Sequence, residues 1–544
     1  MINKFIKQKW YILSILAIIF LAGVIRFYAL GVVPHGMTWD EAAIGYNGMA
    51  VLTTRRDEWL NRLPISFQSF GDYKAPLAIY LNGPFTYLMG MNLFAVRFPF
   101  VISSLFGILG IIVLTKHIFR DNKLSNYYSL FAGFLLTLSP WHIHYSRAGF
   151  ESGMALSLLI WGLFFTLYTI SHKFKKVIPL SLGILSFVLA LYTYHSSKVV
   201  IPILLIVVLV LFFKSAKENI LKVILAIIGF ILLLIPMIKD SIFGEGLTRA
   251  GVTIFSEPGL SLFEKFNYVL ESFGHHLSVN FLLFGETTTL RHGTGFMGVL
   301  FFTTFLLVTL SSILFLKDLI SRKIKINKYQ LLFSLLIIIG LLPASIALEV
   351  PHSNRAFLAL PGFIITAIYG LDYLINILEK TKLNKEVSGS KDEKNILVKL
   401  VVGLLIFVHL LLGFTFINKY FTEFSKQSAD AFLDGYLEAF QIAQNYEKGL
   451  NGYQQVDKII FTSDYGQPYV YALFTRKTNP IWYRGGSLIK YEFNSEINIG
   501  DLLRENTLVV GSSSDILPID KVDHLIYGSD GKIKFQIYKT GYNK

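Results

Sequence analysis

The chain has no cysteine among its 544 residues. Disulfides and thiolate metal sites are therefore excluded, and thiol usage assigns no redox compartment. Charge is scarce as well. Only 16% of residues are Asp, Glu, Lys or Arg, against roughly a quarter in a soluble domain, while 53% are hydrophobic. Mean hydropathy is +0.54. This balance excludes a water-soluble globular fold and implies an integral membrane protein. The few charges are lopsided, with a formal net charge of +14. In a soluble protein that excess would point to nucleic acid. Here it sits in short loops between apolar runs, where membrane topology accounts for it, and no nucleic-acid partner is expected. Three catalytic signatures are also missing: a phosphate-cradling glycine loop, a zinc-ligand pattern and a Ser-His-Asp set. No internal repeat is evident, which weighs against inverted-repeat transporters.

Long apolar runs are what the chain does have. After the basic start MINKFIKQKW, an apolar run extends from Tyr11 to about Leu30. It is longer than a signal-peptide core of roughly 7–15 residues and lacks a small-x-small cleavage site, so it reads as an uncleaved first helix. Runs near twenty apolar residues predict helices at 10–30, 95–117, 127–141, 153–170, 178–194, 199–213, 220–238, 296–316, 330–348, 355–378 and 397–418. Lys and Arg fall in alternate loops: Lys4, Lys7 and Lys9; Lys116, Arg120 and Lys123; Lys173, Lys175 and Lys176; Lys214, Lys217 and Lys222. The pattern continues with Lys317, Arg322, Lys323, Lys325 and Lys328, then Lys380, Lys382, Lys385, Lys391, Lys394 and Lys399. The positive-inside rule puts those loops and the N-terminus in the cytoplasm and the C-terminus outside. The apolar stretch 77–91, interrupted by Asn82-Gly83-Pro84, cannot span without reversing every later loop. It reads as a juxtamembrane or re-entrant helix on the outer face. The expected organisation is a membrane domain over 1–419, with long outer loops at 31–94 and 239–295 and a polar cytoplasmic linker at 380–396. From 420 to 544 the pattern changes. A helical stretch from Ser428 to Lys448 is followed by a strand-like KIIFTSD, a helix-like PYVYALFTRK, and strands LVVGS and KIKFQIYK, which predicts a small extracytoplasmic α/β domain.

Polar function concentrates on the predicted outer face. Nine of the twelve histidines fall there: His35, His142, His144, His195, His275, His276, His292, His352 and His524. Longer outer loops collecting more polar residues is the plain alternative. The first outer loop opens with Asp40-Glu41, ahead of AAIGYNGMAVL, which reads as an amphipathic helix. These carboxylates either start that helix, where Thr38 and Asp40 suit the N-terminus and its dipole, or supply a general base. Lys74, in GDYKAPL, either snorkels at a helix start or binds a lipid-borne phosphate as a point charge. SPWHIHYSRAGFESGM brings Arg147 and Glu151 to a span boundary, where an i,i+4 salt bridge alone would explain them. Arg291-His292 precede the span at 296, and His352 with Arg355 precede the one at 355. Cations entering spans from one side form a pocket for an anion. An acidic motif can hold a divalent ion, but a single Asp-Glu pair does not support one.

These elements together resemble the GT-C superfamily of membrane glycosyltransferases. The likeness is greatest to bacterial relatives of the dolichyl-phosphate-mannose protein mannosyltransferases and of the lipid A aminoarabinose transferases. The matching features are the acidic pair Asp40-Glu41, a KPPL-like element at Lys74-Ala75-Pro76-Leu77, the helix start Arg97-Phe98-Pro99, and the stretch Ser139-Pro140, Ser146-Arg147, Glu151. They cover roughly the first 170 residues, with Arg291-His292 and His352…Arg355 fitting more loosely. Ala75 stands where the family has a first proline, and Glu151 where aspartate is common. The resemblance implies a polytopic α-helical membrane protein of the GT-C type with about 11–13 spans, juxtamembrane helices in the first outer loop and an outer C-terminal α/β domain. It implies transfer of a sugar, with inversion, from a polyprenyl-phosphate carrier to a hydroxyl of protein, lipid or glycan at the outer face of the cell membrane. Carried across, Asp40 is the general base and Glu41 supports it or binds acceptor, while Lys74 with Arg147 or Arg355 holds the carrier phosphate. Glu151, Arg291, His292 and His352 complete the substrate site. Because phosphate is the leaving group, cations suffice to stabilise it, and neither a general acid nor a cofactor is required. Rival readings are a lipid-linked sugar transporter or flippase, an oligosaccharide-transferring enzyme with a lipid-pyrophosphate donor, and a non-catalytic scaffold.

Overall fold

The computed structural model describes residues 2–244, 246, 251–321, 326–380, 396–515 and 522–541. The chain begins with α1 (Ile2–Phe27) and α2 (Trp39–Thr54), then a hairpin of β1 (Phe67–Ser69) and β2 (Asp72–Lys74), then α3 (Pro76–Met89) and α4 (Leu93–Ile118). Next come α5 (Ser125–Leu138), α6 (Pro140–Arg147), α7 (Glu151–Ser171), α8 (Val177–Leu191), α9 (Ser197–Leu211), α10 (Phe213–Glu218) and α11 (Ile220–Phe243). The long connection after α11 carries α12 (Leu262–His276); α13 (Phe302–Ser321), α14 (Lys328–Ser345), α15 (Ser353–Ala356), α16 (Leu360–Lys380) and α17 (Ile396–Lys419) follow.

This is a multi-pass membrane protein. All eleven predicted apolar segments lie on helices, and among the described residues eight helical stretches are long and apolar enough to cross a bilayer. The remaining three, α5, α8 and α9, are only 14, 15 and 15 residues long. Burial sorts the eight. Ser353–Lys380 is 83% buried and forms the centre of the bundle, whereas Ile220–Phe243 is 11% buried and turns nearly all of its apolar surface outward. One predicted start is displaced: α13 begins at Phe302 rather than 296. The preceding residues leave the helical path because the Gly298 and Leu300 amides donate to the Leu283 and Leu282 carbonyls, each at 2.9 Å. Most of the linker predicted at 380–396, and the basic residues Arg322, Lys323 and Lys325, lie outside the described residues.

The stretch predicted at 77–91 is α3, a helix of 14 residues with Pro76 in its first turn and Pro84 inside it. It crosses α2 at a pair of glycines. A Cβ on Gly48 would stand 2.8 Å from the Ile79 carbonyl oxygen, and one on Gly83 would stand 2.4 Å from that of Gly48. α2 was expected to be amphipathic and is not: Glu41 to Gly48, Ala50 and Val51 are all buried. The reason is tertiary, since the C-terminal residues cover the side that would otherwise face water.

Those C-terminal residues form a five-stranded sheet in the order β4-β3-β5-β7-β6. Its strands are β3 (Lys458–Thr462), β4 (Tyr491–Asn494), β5 (Thr507–Ser512), β6 (His524–Tyr527) and β7 (Ile533–Lys539). β3 pairs in parallel with β4 and β5, and β7 pairs antiparallel with β5 and β6. The sheet packs on α18 (Tyr436–Lys448) and α19 (Pro468–Arg476). Two strands, β4 and β6, went unread in the sequence because they are four residues each. The helix expected from Ser428 starts only at Tyr436, after Gly435 at φ 88°. One apolar cluster joins Met37, Tyr46 and Val96 of the membrane half to Tyr436, Phe461, Tyr471 and Phe474. The sheet is thereby bound to the segment between α1 and α4.

Candidate active site

Asp40 sits in the first turn of α2, so the location of that helix start decides what the acidic pair does. Thr38 is the N-cap: its Oγ1 accepts from the Glu41 amide at 3.2 Å, and Glu41 Oε2 accepts from the Thr38 amide at 2.9 Å. This is a capping box, and it consumes Glu41. Glu41 is also ion-paired with Arg97, whose Nε donates to Oε1 at 2.6 Å and whose Nη2 donates to Oε2 at 3.3 Å. Both side chains are fully buried. Gly149, at φ +55°, lies against them; a Cβ there would stand 2.7 Å from Glu41 Cγ. The two adjacent carboxylates thus divide, with Glu41 built into the scaffold and Asp40 turned outward with 31% of its side chain exposed.

Lys74 reaches Asp40 from the end of β2. Its ammonium forms an ion pair with Asp40, lies 3.5 Å from Asp72 Oδ2, and stacks over the Phe70 ring at 4.6 Å. Its side chain is only 1% exposed. The hairpin exists to make this approach: Phe67 pairs with Lys74 across it, and Ala75 with Pro76 at once start α3.

Arg147 does not lie open to an anion. Its Nη1 donates to the Ile25 and Arg26 carbonyls at 2.8 Å, and its Nη2 donates to Val33 at 2.8 Å and Ala29 at 3.3 Å. These are carbonyls at and just beyond the C-terminal end of α1, which lack helical partners. Arg97 does the same for Leu30, Pro34 and Gly36. Between them the two arginines hold residues 25–36, the connection that delivers Asp40. The Arg147–Glu151 pairing expected from i,i+4 spacing also loses its basis, because α6 ends at Arg147 and α7 begins at Glu151. Glu151 is half-buried there.

The remaining candidates collect on the other side of Asp40. The charges acting on the His292 ring include Arg291, Asp40 and Arg355, so these groups share one site. His292 and His352 stack with ring centroids 4.6 Å apart. Burial, reinforced by the neighbouring cations, holds His292 down at about 3 and His352 well below its ordinary value, so both rings are neutral. Their Nδ1 atoms are buried with no hydrogen-bond partner among the described residues. The His352 amide donates to His276 Nε2 at 3.0 Å, which fixes that loop. Arg291 donates through Nε to the Ala431 carbonyl at 3.0 Å and lies over the Trp39 ring at 4.5 Å. Arg355 makes no hydrogen bond or ion pair among the described residues. His144 donates through Nε2 to the Arg291 carbonyl at 2.9 Å, and Tyr145 and Ser353 both donate to the His292 carbonyl. Among the described residues no three His, Asp or Glu side chains are grouped to hold a metal.

Chemically, the site offers a partly exposed carboxylate paired with a lysine, two neutral imidazoles, and a guanidinium whose donors have no partner among the described residues. Of the predicted residues, Asp40, Lys74, Arg291, His292, His352 and Arg355 come together; Glu41 and Arg147 lie beneath as scaffold. Sequence reading did not place Arg97 or Trp39 at the site. The signal for Arg97 was present, as a charge inside the apolar run LFAVRFPF. Nothing marked Trp39.

No family model matches the chain, and no curated protein matches it in sequence. Solved structures do match, and what they share with this chain is its fold. ArnT from Cupriavidus metallidurans, in its apo state, superposes with a TM-score of 0.55 over 98% of this chain and 98% of that one, at 12% identity. The same protein bound to undecaprenyl phosphate gives 0.53 over 98% and 99%, at 11% identity. The Archaeoglobus fulgidus oligosaccharyltransferase tethered with an acceptor peptide gives 0.53 over 98% of this chain and 74% of that one, at 13% identity. At such identities the likeness is one of fold.

Proposed function

We propose that this chain is a glycosyltransferase that moves a sugar from a polyprenyl-phosphate carrier to a hydroxyl acceptor at the outer face of the membrane, with its N-terminus cytoplasmic and its C-terminal α/β unit outside. The observation that carries this reading is the partly exposed Asp40 carboxylate, which is paired with Lys74 and, together with Arg355, acts on the His292 ring of the neutral pair His292 and His352. In the reaction, the acceptor oxygen forms a bond to the anomeric carbon as the bond from that carbon to the phosphate oxygen breaks. The electron pair leaves on the phosphate and the acceptor proton passes to Asp40. Attack from the face opposite the leaving group inverts the anomeric configuration.

Charge builds on the phosphate, so fixed donors aimed at it lower the barrier. Arg355 and the Nη groups of Arg291 supply that positive charge. Neutral imidazoles add hydrogen-bond capacity without holding the anionic product too tightly. Lys74 orients Asp40 and keeps the base from drifting. Glu41 and Arg147 act through the scaffold rather than on substrate. The ArnT structure with undecaprenyl phosphate supports a prenyl-phosphate donor through its shared fold.

The test is transfer of labelled sugar in membranes supplied with polyprenyl-phosphate sugars and, separately, lipid-pyrophosphate oligosaccharides. Wild type is compared with Asp40→Asn and Arg355→Ala at matched expression. Transfer from the monophosphate donor that both variants lose supports the reading; use of the pyrophosphate donor alone favours the oligosaccharide-transferring alternative. Undiminished transfer by Asp40→Asn removes the base assignment.

A further inference from the structure

A second acidic pair, Asp57-Glu58, lies in the first outer loop and takes no part in the chemistry above. Both residues are fully buried. Asp57 organises its own turn, with Oδ1 accepting from the Trp59 and Asn61 amides at 2.9 and 2.8 Å. Glu58 reaches further. Its Oε1 accepts from Ser69 Oγ at 3.0 Å and from the Tyr469 hydroxyl at 3.3 Å. The same Tyr469 oxygen accepts from the Phe70 amide at 3.0 Å. The Glu58 amide donates to Asn47 Oδ1 at 3.0 Å, and its carbonyl accepts from Arg484 Nε at 2.8 Å.

Four parts of the chain therefore meet at one residue: the hairpin that carries Lys74 and Tyr469 of the C-terminal α/β unit on its carboxyl, and α2, which carries Asp40, and Arg484 on its backbone, with the 55–63 turn as its own segment. Phe70, held by Tyr469, is the ring on which the Lys74 ammonium rests. We propose that Glu58 is a positioning residue, the joint through which the C-terminal unit sets the Lys74–Asp40 pair. This rests on the catalytic reading of that pair.

The joint is built for a neutral acid. Glu58 Oε2 is buried and has no partner among the described residues. Ionisation would place charge on an oxygen without a donor, and that charge is relieved only by admitting water between the hairpin and Tyr469. The surrounding groups do not cancel it. Asp57 adds like charge, and the phenols of Tyr46, Tyr469 and Tyr483 are all raised by burial and stay neutral. Among the described residues Arg484 is the cation that acts on it, but its Nε is committed to the Glu58 carbonyl and its guanidinium lies 3.7 Å over Trp59. Burial pushes the Glu58 carboxyl up from 4.5 to about 7, so the joint is closed in acid and loosens as pH rises across that window.

The test is hydrogen–deuterium exchange on the full-length protein in nanodiscs, comparing wild type with Glu58→Gln at pH 4.5 and pH 8. Intrinsic exchange rates are the same for both proteins at a given pH, so the comparison isolates opening. At pH 4.5 segments 67–74 and 465–470 exchange within about twofold of each other in the two proteins. At pH 8 they exchange faster in wild type, by up to roughly 300-fold, since each pH unit between the open value of 4.5 and the closed value of about 7 adds about tenfold to the opening equilibrium, which then levels off. Equal exchange at both pH values, or faster exchange in the variant at both, overturns the proposal. Tyr469→Phe is the second variant should Glu58→Gln fail to fold: it exposes the Phe70 amide at pH 4.5, and full protection there also overturns it. In the transfer assay, kcat of wild type falls relative to that of Glu58→Gln as pH rises from 4.5 to 7, with KM for the carrier unchanged. A failure of transfer altogether leaves the exchange result standing and counts only against the catalytic reading.

Discussion

Removing Arg97 is the sharpest perturbation of this architecture. Arg97 is completely buried in the first turns of α4 and spends all its donors: two on Glu41 and three on the Leu30, Pro34 and Gly36 carbonyls. Arg97→Met conserves much of the apolar volume and deletes every one of those bonds. It leaves a buried carboxylate unpaired, at a cost of about 3–5 kcal/mol. Three carbonyls lose their partner as well, at about 1–3 kcal/mol each where water cannot reach them. Arg97→Lys fares little better, because a single ammonium cannot serve acceptors lying in several directions. A polytopic protein melts irreversibly, so the observable is a rate. Half-life in detergent at a fixed temperature, followed by loss of the monodisperse peak, is the assay. A loss of only 3 kcal/mol from the unfolding barrier shortens that half-life by roughly 150-fold. The double variant Arg97→Met with Glu41→Leu, which removes the stranded charge, recovers part of the loss. A half-life for Arg97→Met within about threefold of wild type would refute the reasoning, because it would mean that the pair is solvated or that the connection 25–36 needs no anchor.

Other outcomes follow from the same geometry. Asp40→Asn lowers kcat for sugar transfer by about 10²–10⁴-fold with little change in half-life, the size of a lost general base; an unchanged kcat would move the base elsewhere. Arg355→Ala raises KM for the carrier and lowers kcat together, whereas Arg147→Ala acts through stability, which parallel kinetics and half-life measurements separate. Gly48→Leu drives a side chain into the α3 backbone and abolishes accumulation of folded protein, seen as loss of the monodisperse peak. His144 and His292, held by burial at about 4 and about 3 against an ordinary 6.5, are neutral in the fold. The unfolded chain binds their protons first, so stability falls as pH drops below 6.5, and His292→Gln flattens that acid limb in a half-life against pH profile. Glu58 acts with opposite sign: its folded value is raised from 4.5 to about 7, so its contribution is lost as pH rises across that window.

Much of this protein was decided by local pattern. A run of about twenty apolar residues has no stable place but a bilayer or a buried core, so the helices, their order and the membrane class follow from composition alone. The same holds for the helix start at Thr38 and Asp40, and for the concentration of polar residues in the loops that carry Asp40, Lys74, His292 and Arg355. These are short-range facts, and they needed no partner to be legible.

Which carboxylate reaches the surface and which cation is spent could be decided only by tertiary structure. Asp40 and Glu41 are adjacent and chemically alike; they part because Arg97, fifty-six residues further on, reaches one of them and Lys74 the other. Arg147 and Arg355 look equivalent at the mouths of two helices, yet one finds the open carbonyls of α1 and the other finds no such partner among the described residues. The short strands β4 and β6, the burial of α2 and the joint at Glu58 likewise depend on the C-terminal sheet folding back onto the segment between α1 and α4. A buried polar group takes whatever partner the packing brings within about 3 Å, and that partner is set by the fold rather than by neighbours in the chain.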